Sequence, residues 1–582
     1  RNTKEVTAEG NIFFSKGEQY FEASNLSYNL KSKKGFIKNV YGVMDFANFE
    51  KDFELKSSKI NPLNNDLEKD TIRNLNYINS SKFGLTSNFS ETSNTSIKDL
   101  DIELPSLNKW RFKTDRLNFD NEFLISDRVF FTNDPFNKPQ FLILSKNFKG
   151  ELIKDKTKFV SKNTWINFDD KIKTPIGRWT VSDRERILSW TIGSDNEEKD
   201  GFYLARDLDP INLPSDFSLS IKPYFLFQRA IEGHTDSFRG KNTSLFSNKV
   251  ENNISLSDWF AMDANLLGKI NLWDIKLDTR TNTLNIDRSA EAIRSKLTFS
   301  RSIDLNSGDE DSRDLEKLGD IKFNNFVDLE IYSAFREKIQ KGYAGEDEIY
   351  FGNGLSVSNR KSWIKNNKTT RLIFLYDLGE FKAKSKTANK FINTSRNLFS
   401  ASIDNKITLW EKKSVQKEMD KSYKFTPQII KPSLVWNTAV NSGLFLYGDG
   451  ISQEGITFSA GPDLTWGNLK KYFFDFSKLS TRYTYVVKSG ESPFAFDDIN
   501  SDERLFFEFQ QQVFGPLIFS FQSYLPLQEG HRDHGDFTQS KYKLEIRRRA
   551  YSFAVVYEQD EKDLGYQLNI FNFDFSGKGN KF

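Results

Sequence analysis

The chain has no cysteine, which excludes disulfides and thiolate metal sites, although that absence names no compartment. Prolines number only 14 and histidines three, at positions 234, 531 and 534. No run of eighteen or more apolar residues occurs, so no transmembrane helix is expected. Basic and acidic residues nearly cancel, 83 against 80, and nothing marks a polyanion binder; nucleic acid is not an expected partner. No signal peptide is visible and Arg1 is not a natural start, so the chain is read as mature or trimmed. What is abundant is aromatic: 15% of residues, with 55 phenylalanines, while apolar residues reach only 37%. A soluble core draws mainly on aliphatic residues, whereas a membrane barrel needs aromatic girdles and a thin apolar outer face around a polar lumen. At 582 residues, either several domains or one very large barrel is expected.

Alternation at period two runs through most of the chain. Phe217, Leu219 and Ile221 alternate with Ser218, Ser220 and Lys222; Trp273, Ile275 and Leu277 alternate with Asp274, Lys276 and Asp278. The same pattern returns at Val327–Ile331, Leu517–Phe521 and Tyr551–Tyr557. A two-layer sandwich gives the same alternation, but an antiparallel run this long with hardly any helical period must close on itself to remove its edges. From Arg178 onward the length allows roughly 18–26 spanning strands. Longer polar connections at 232–250, 305–320, 411–423 and 491–503 are the expected extracellular loops.

The stretch AEGNIFFSKGEQYFEASNLSYNLKSKKGFIKNVYG, from Ala8 to Gly42, reads as three short strands with Gly-containing turns. Its string A-E-G-N, F-x-A, L-x-Y-N and V-x-G resembles the periplasmic module of the outer-membrane lipopolysaccharide-assembly protein family. KTPIGRWTVSDRER (173–186) resembles that family's lead-in to the first barrel strand. GFYLARDLDPINLPSDFSLSIKPYFLFQRAIEG (201–233) resembles its opening hairpin, with Pro223 inside the returning strand.

The resemblance implies an all-β protein: a periplasmic β-jellyroll over 1–177, then a large antiparallel transmembrane β-barrel over 178–582. It implies transport of lipopolysaccharide into the outer leaflet of a bacterial outer membrane, with no covalent chemistry, enzyme activity or cofactor. Acyl chains would pass along an apolar groove built from Ile12, Phe14, Phe21, Ala23, Leu26, Tyr28, Leu30, Val40 and Met44. They would leave through a lateral seam between the first strand (Ile187, Leu188, Trp190, Ile192) and the last (Tyr566, Leu568, Ile570, Phe573). The partners it implies are lipopolysaccharide, a periplasmic bridge protein docking on the jellyroll edge, and the barrel-insertion machinery. A plug lipoprotein is left open, because the family's disulfide cross-link cannot form without cysteine. That departure points to a divergent branch, with cyanobacteria as the expected source. The prolines that weaken the family's seam are also missing from the first strands, where Pro175 lies just before the seam instead.

Other strings carry weaker chemistry. EGHRDH (529–534) gathers two histidines with Glu529 and Asp533, but a charged turn is the plainer reading. The Gly-rich 443–455 segment lacks the lysine of a phosphate loop and reads as a hairpin turn. Arg547–Arg549 is a basic cluster expected to line the lumen. A passive porin or nutrient transporter with an accessory N-terminal β domain is the competing function, and a secreted all-β adhesin a second. The porin needs a constriction loop or plug, and the sequence announces neither.

Overall fold

The computed structural model describes residues 5–582 except 46–100, 104–108, 182–189, 240–247, 306–320, 341–345, 413–424, 571–580 and breaks of one to three residues. An eight-stranded sheet comes first. It holds β1 (Glu5–Lys16), β2 (Gln19–Asn29), β3 (Lys34–Asp45), β5 (Lys109–Phe119), β6 (Phe123–Thr132), β7 (Phe141–Ile153), β8 (Lys156–Phe168) and β9 (Ile172–Val181), every neighbour antiparallel. A three-residue β4 (Asp101–Glu103) leaves this sheet and joins the second. The segment 173–186 therefore does not open the barrel: its first nine residues complete the first sheet, pairing with β8 as far as Phe159↔Val181.

The first sheet is creased. Gly10, Asn39, Asn147 and Gly177 all have positive φ, values that glycine and asparagine tolerate best. Gly10 sits in the β1 bulge beside Ser24, and the Asn39 amide donates to Ser24 Oγ at 2.9 Å. Buried apolar residues change parity across that line. Phe112 and Leu117, or Ile143 and Phe148, are five positions apart, a spacing that puts side chains on opposite faces of a flat strand. Here they share one core with Val40, Met44, Trp110, Phe131 and Phe168. On β3, β5, β6 and β7 the crease turns both halves of the strand toward a single apolar concave face.

The second sheet has 20 strands. It opens with β10 (Trp190–Asp195), β11 (Gly201–Arg206), β12 (Ile211–Leu213) and β13 (Phe217–Phe225). Both β11 and β12 pair with β13, as two parts of one interrupted strand. A short helix α1 (Phe227–Glu232) and the paired β14 (His234–Thr235) and β15 (Asn252–Asn253) follow. The sheet then runs through β16 (Phe260–Ile270), β17 (Trp273–Thr281), β18 (Ile293–Asp304), β19 (Ile321–Gln340), β20 (Glu346–Lys365) and β21 (Lys368–Lys384). It continues with β22 (Phe391–Glu411), β23 (Ser433–Tyr447), β24 (Ser452–Gly467), β25 (Phe476–Gly490), β26 (Asp502–Phe514) and β27 (Leu517–Pro526). The last three are β28 (Thr538–Arg547), β29 (Tyr551–Glu558) and β30 (Asp563–Ile570). The strand number lies inside the expected range.

The orientation of the side chains identifies the solvent this sheet is built for. On β23–β25 the exposed positions are Trp436, Leu444, Leu446, Ile456, Phe458, Tyr483, Tyr485 and Val487, while their alternates Asn437, Asn441, Thr457, Ser459, Arg482 and Thr484 are buried. A soluble sandwich buries the apolar set; here the apolar set is outside and the polar set inside, which is stable only in lipid. Arg482 is held inside by a bidentate pair to Asp463, both contacts 2.9 Å, and Ser459 and Thr484 share a 2.8 Å hydrogen bond. Among the described residues no helix is long and apolar enough to cross a membrane, so the strands do it. The second sheet is a membrane-spanning β-barrel.

Inward glycines let large rings lie flat on the wall. A Cβ on Gly354 would come 2.3 Å from the Tyr332 hydroxyl, and one on Gly379 within 2.7 Å of the Phe381 ring. That clearance lets Tyr332 reach across to Asp377 at 3.1 Å.

Candidate functional site

The concave face of the first sheet carries an aromatic track. Ring centroids are 5.6 Å apart for Phe14–Phe21 and for Phe21–Phe112, 6.4 Å for Phe112–Phe131 and 5.4 Å for Phe131–Phe148. Gly42 stands between Phe21 and Phe112 in the register, and a Cβ there would come within 2.8 Å of both rings. Gly35 does the same between Tyr28 and Phe119, whose rings stack at 5.9 Å. Gly35 reads as a turn residue in the sequence, yet both glycines are strand positions across which the rings meet. Gly42→Val is expected to break the Phe21–Phe112 contact and cost about 1–3 kcal/mol through overpacking, read as a lowered urea midpoint.

The groove residues divide unequally. Phe21, Val40 and Met44 belong to the concave core, and Phe14 extends the track to the open β1 edge. Ile12 pairs with Ala23, and Leu26 lies between Ala8 and Ile37. Leu30 is not in the groove: β2 ends at Asn29, whose side chain accepts from Lys31 N and Ser32 N, leaving Leu30 exposed in the turn.

The track ends at the barrel. Ala550, in the turn between β28 and β29, is part of the concave core, and Tyr551 packs edge-to-face on Phe168 with centroids 4.8 Å apart. The basic cluster makes this joint. Arg548 pairs with Asp169 at 2.9 Å, and Arg549 pairs with the fully buried Asp134 at 2.9 Å and donates to Lys138 O at 2.7 Å. The Tyr551 hydroxyl donates to Asp169 at 2.7 Å. The expectation that Arg547–Arg549 lines the lumen is corrected. Only Arg547 stays on its strand, paired with Glu545, while Arg548 and Arg549 clamp one sheet to the other. Phe582 also returns to the first sheet, its ring 4.8 Å from the Arg111 guanidinium.

This joint fixes the ends of the barrel. Successive strands are antiparallel, so connections alternate between ends. The connection after β25 and the described part of the one after β13 lie at the end away from the first sheet. The expected loops at 305–320 and 411–423 fall almost wholly outside the described residues.

The seam lies beside the joint. β30 pairs with β29 on one side and, in parallel, with β4 on the other through Gln567↔Asp101, Leu568↔Ile102 and Asn569↔Glu103. β10 approaches both β4 and β30, and among the described residues no ladder joins β10 to β30. Trp190 and Ile192 lie on β10, and Tyr566, Leu568 and Ile570 on β30. Ile187, Leu188 and Phe573 fall outside the described residues. The insertion of β4 had no signal in the sequence, being three residues long.

At the far end one loop folds into the lumen. The connection after β25 folds inward, burying Phe494 and Phe496 completely against Phe381, Tyr447, Ile339 and Ile349. Its Asp497 meets the fully buried Arg396 at 3.2 Å, and Arg396 also holds Asp377 at 2.7 Å. Gln453 locks the same loop, donating to Asp497 O and accepting from Ile499 N, both at 2.9 Å. Nothing in the sequence singled out Arg396.

A second knot stands at that end. Arg229, buried on α1, pairs with Asp200 and donates to Asp258 O and Asn282 O at 3.0 and 2.8 Å. Burial raises the Asp200 carboxyl, but Arg229 and the hydroxyls of Thr235 and Ser237 outweigh it and hold it below the ordinary range. Glu198 is likewise opposed by burial, yet Arg294 and Lys338 bring it to about 2. A depressed carboxylate contributes its full stability above its unfolded pKa and loses it as pH falls through the folded one. The 196–259 region is therefore expected to resist protease at pH 5 and to open between about pH 4.5 and 2. Glu198→Gln removes its share of that acid transition. Nearby, His234, Asp236 and Glu251 bring ligand atoms within 4.8 Å of one another, the group among the described residues that a metal ion could use. EGHRDH is a turn, with the His531 ring 3.1 Å from Asp533 N.

An aromatic concave sheet, clamped to the end of a large membrane barrel beside its seam, defines a two-part membrane-barrel protein. The chain belongs to the family described as "Protein of unknown function (DUF3769)", whose model matches residues 105–574. The Ala8–Gly42 stretch lies before that match. No curated protein matches the chain. The outer-membrane expressed OmpT of Vibrio cholerae is similar over 62% of this chain and 93% of that chain, at 9% identity and a TM-score of 0.23, a level at which the likeness carries no argument.

Proposed function

We propose that this protein sits in a bacterial outer membrane and passes lipopolysaccharide to the outer leaflet, without covalent chemistry. One observation carries the reading: the apolar face of the first sheet runs without interruption into the barrel wall at Ala550 and Tyr551, one strand from β30 and the seam. An amphipathic cargo needs a dry surface for its chains and a polar lumen for its sugars, side by side. The first sheet then lies in the periplasm as the receiving jellyroll. Its β1 edge, which no second strand pairs among the described residues and where Phe13 and Phe14 are exposed, is the surface on which a bridge protein adds a strand. The seam opens by separation of β4 from β30 and β10.

The cysteine-free chain makes the test clean. Ile102→Cys with Leu568→Cys is expected to stop lipopolysaccharide from reaching the cell surface when oxidised and to restore it when reduced. Undiminished export with the cross-link formed sinks the seam route.

The inward loop at Phe494 and Phe496 favours a second reading, a porin with a constriction. A porin conducts small solutes in a planar bilayer as purified; a lipid conduit whose lumen this loop fills is expected not to.

A further inference from the structure

On the outside of the barrel wall, across β20–β25, lies a furrow of about 790 Å³, within the range of ligand pockets. Two neighbouring rows of outward side chains build it. One runs Val357, Tyr376, Phe399, Leu444, Glu454 and Ser489 from strand to strand; the other carries Phe374, Ala401, Ser442 and Ile456. The middle of the second row is small. Ala401 faces Ser442, and on either side stand Phe374 and Ile456, so the floor drops between aromatic and aliphatic walls. Phe374, Phe399 and Ile456 are 47%, 48% and 42% exposed, so the furrow opens to the membrane and not to the lumen.

At the far-end rim stands Glu454, two positions after the start of β24, with no hydrogen-bond or ion-pair partner among the described residues. A carboxylate beside a lipid-facing apolar furrow is costly unless something donates to it. It repels a phosphate and accepts from hydroxyls, and Ser489 is its neighbour in the register.

We propose that the furrow is a binding site for one membrane lipid with an uncharged, hydroxyl-bearing head group. Its acyl chain lies over Ala401 and Ser442, and its head-group hydroxyls donate to Glu454. The site is independent of what the barrel transports, since it requires only that the barrel span a membrane.

The test is native mass spectrometry of the full chain, purified in detergent and loaded with either digalactosyl diacylglycerol or phosphatidylglycerol. The expected result is a retained galactolipid adduct at least tenfold more abundant than the phosphatidylglycerol one. Ala401→Phe fills the floor from the lipid side, where it disturbs no inward packing, and is expected to abolish the adduct. Glu454→Gln is expected to narrow the preference between the two lipids. Equal retention of both lipids, or an adduct unchanged in Ala401→Phe with the strand content intact by circular dichroism, overturns the proposal.

Discussion

Arg396→Met releases the inward loop at the far end of the barrel and destabilises the barrel by about 3–5 kcal/mol, because two buried carboxylates lose the cation they share. Asp377 and Asp497 are both fully buried, and the guanidinium that joins them also lies 4.6 Å over the Phe381 ring. The inward loop is held by this pair, by Gln453 and by Phe494 and Phe496, so loss of the arginine leaves apolar packing opposed by two unpaired charges. The expected consequence is a higher conductance in planar bilayers than that of the unsubstituted protein, together with a lower urea midpoint. The triple variant Asp377→Asn, Arg396→Met, Asp497→Asn removes the charges together and recovers most of the stability, since a neutralised site no longer buries an uncompensated ion. A single variant with unchanged conductance and equal stability contradicts the latch.

Arg549→Ala separates the two sheets. Its partner Asp134 is completely buried, and the carboxylate also accepts from Phe136 N and Gln140 N. Truncating one member of a buried, hydrogen-bonded charge pair costs about 2–5 kcal/mol. Here the loss falls on the joint, where Arg548–Asp169 and the Tyr551–Phe168 contact remain. The expected readout is a broadened spin-label distance between the first sheet and the barrel, with the barrel's own thermal transition unmoved. Arg549→Lys keeps the charge but loses the fork that also reaches Lys138 O, and recovers part of the effect. A cycle with Asp134→Asn should show a coupling of about 0.5–3 kcal/mol.

The alternation of Phe217–Ile221 or Leu517–Phe521 was enough to read strands, because period two is a local property, and its persistence over some four hundred residues was what pointed to a closed barrel. What the sequence hid was non-local. The crease inverts the parity of Phe112 against Leu117, which simple alternation does not show, and Leu30 was placed in a groove from which the turn at Asn29 excludes it. Gly35 looked like a turn, since the rings it lets through arrive from neighbouring strands. The clamp of Arg548 and Arg549 depends on acids about four hundred residues earlier in the chain. Arg396 had no visible partner, because Asp497 reaches it only when the loop folds inward.

The claim on which the account rests is that the concave face of the first sheet carries lipid to the barrel. The direct measurement places a photoreactive side chain at Phe21, in cells, and at Glu22 as the control on the opposite face. Lipopolysaccharide adducts at Phe21 and none at Glu22 are the predicted result. A correctly inserted barrel that never captures lipopolysaccharide at Phe21 would contradict the conduit and leave the porin reading ahead.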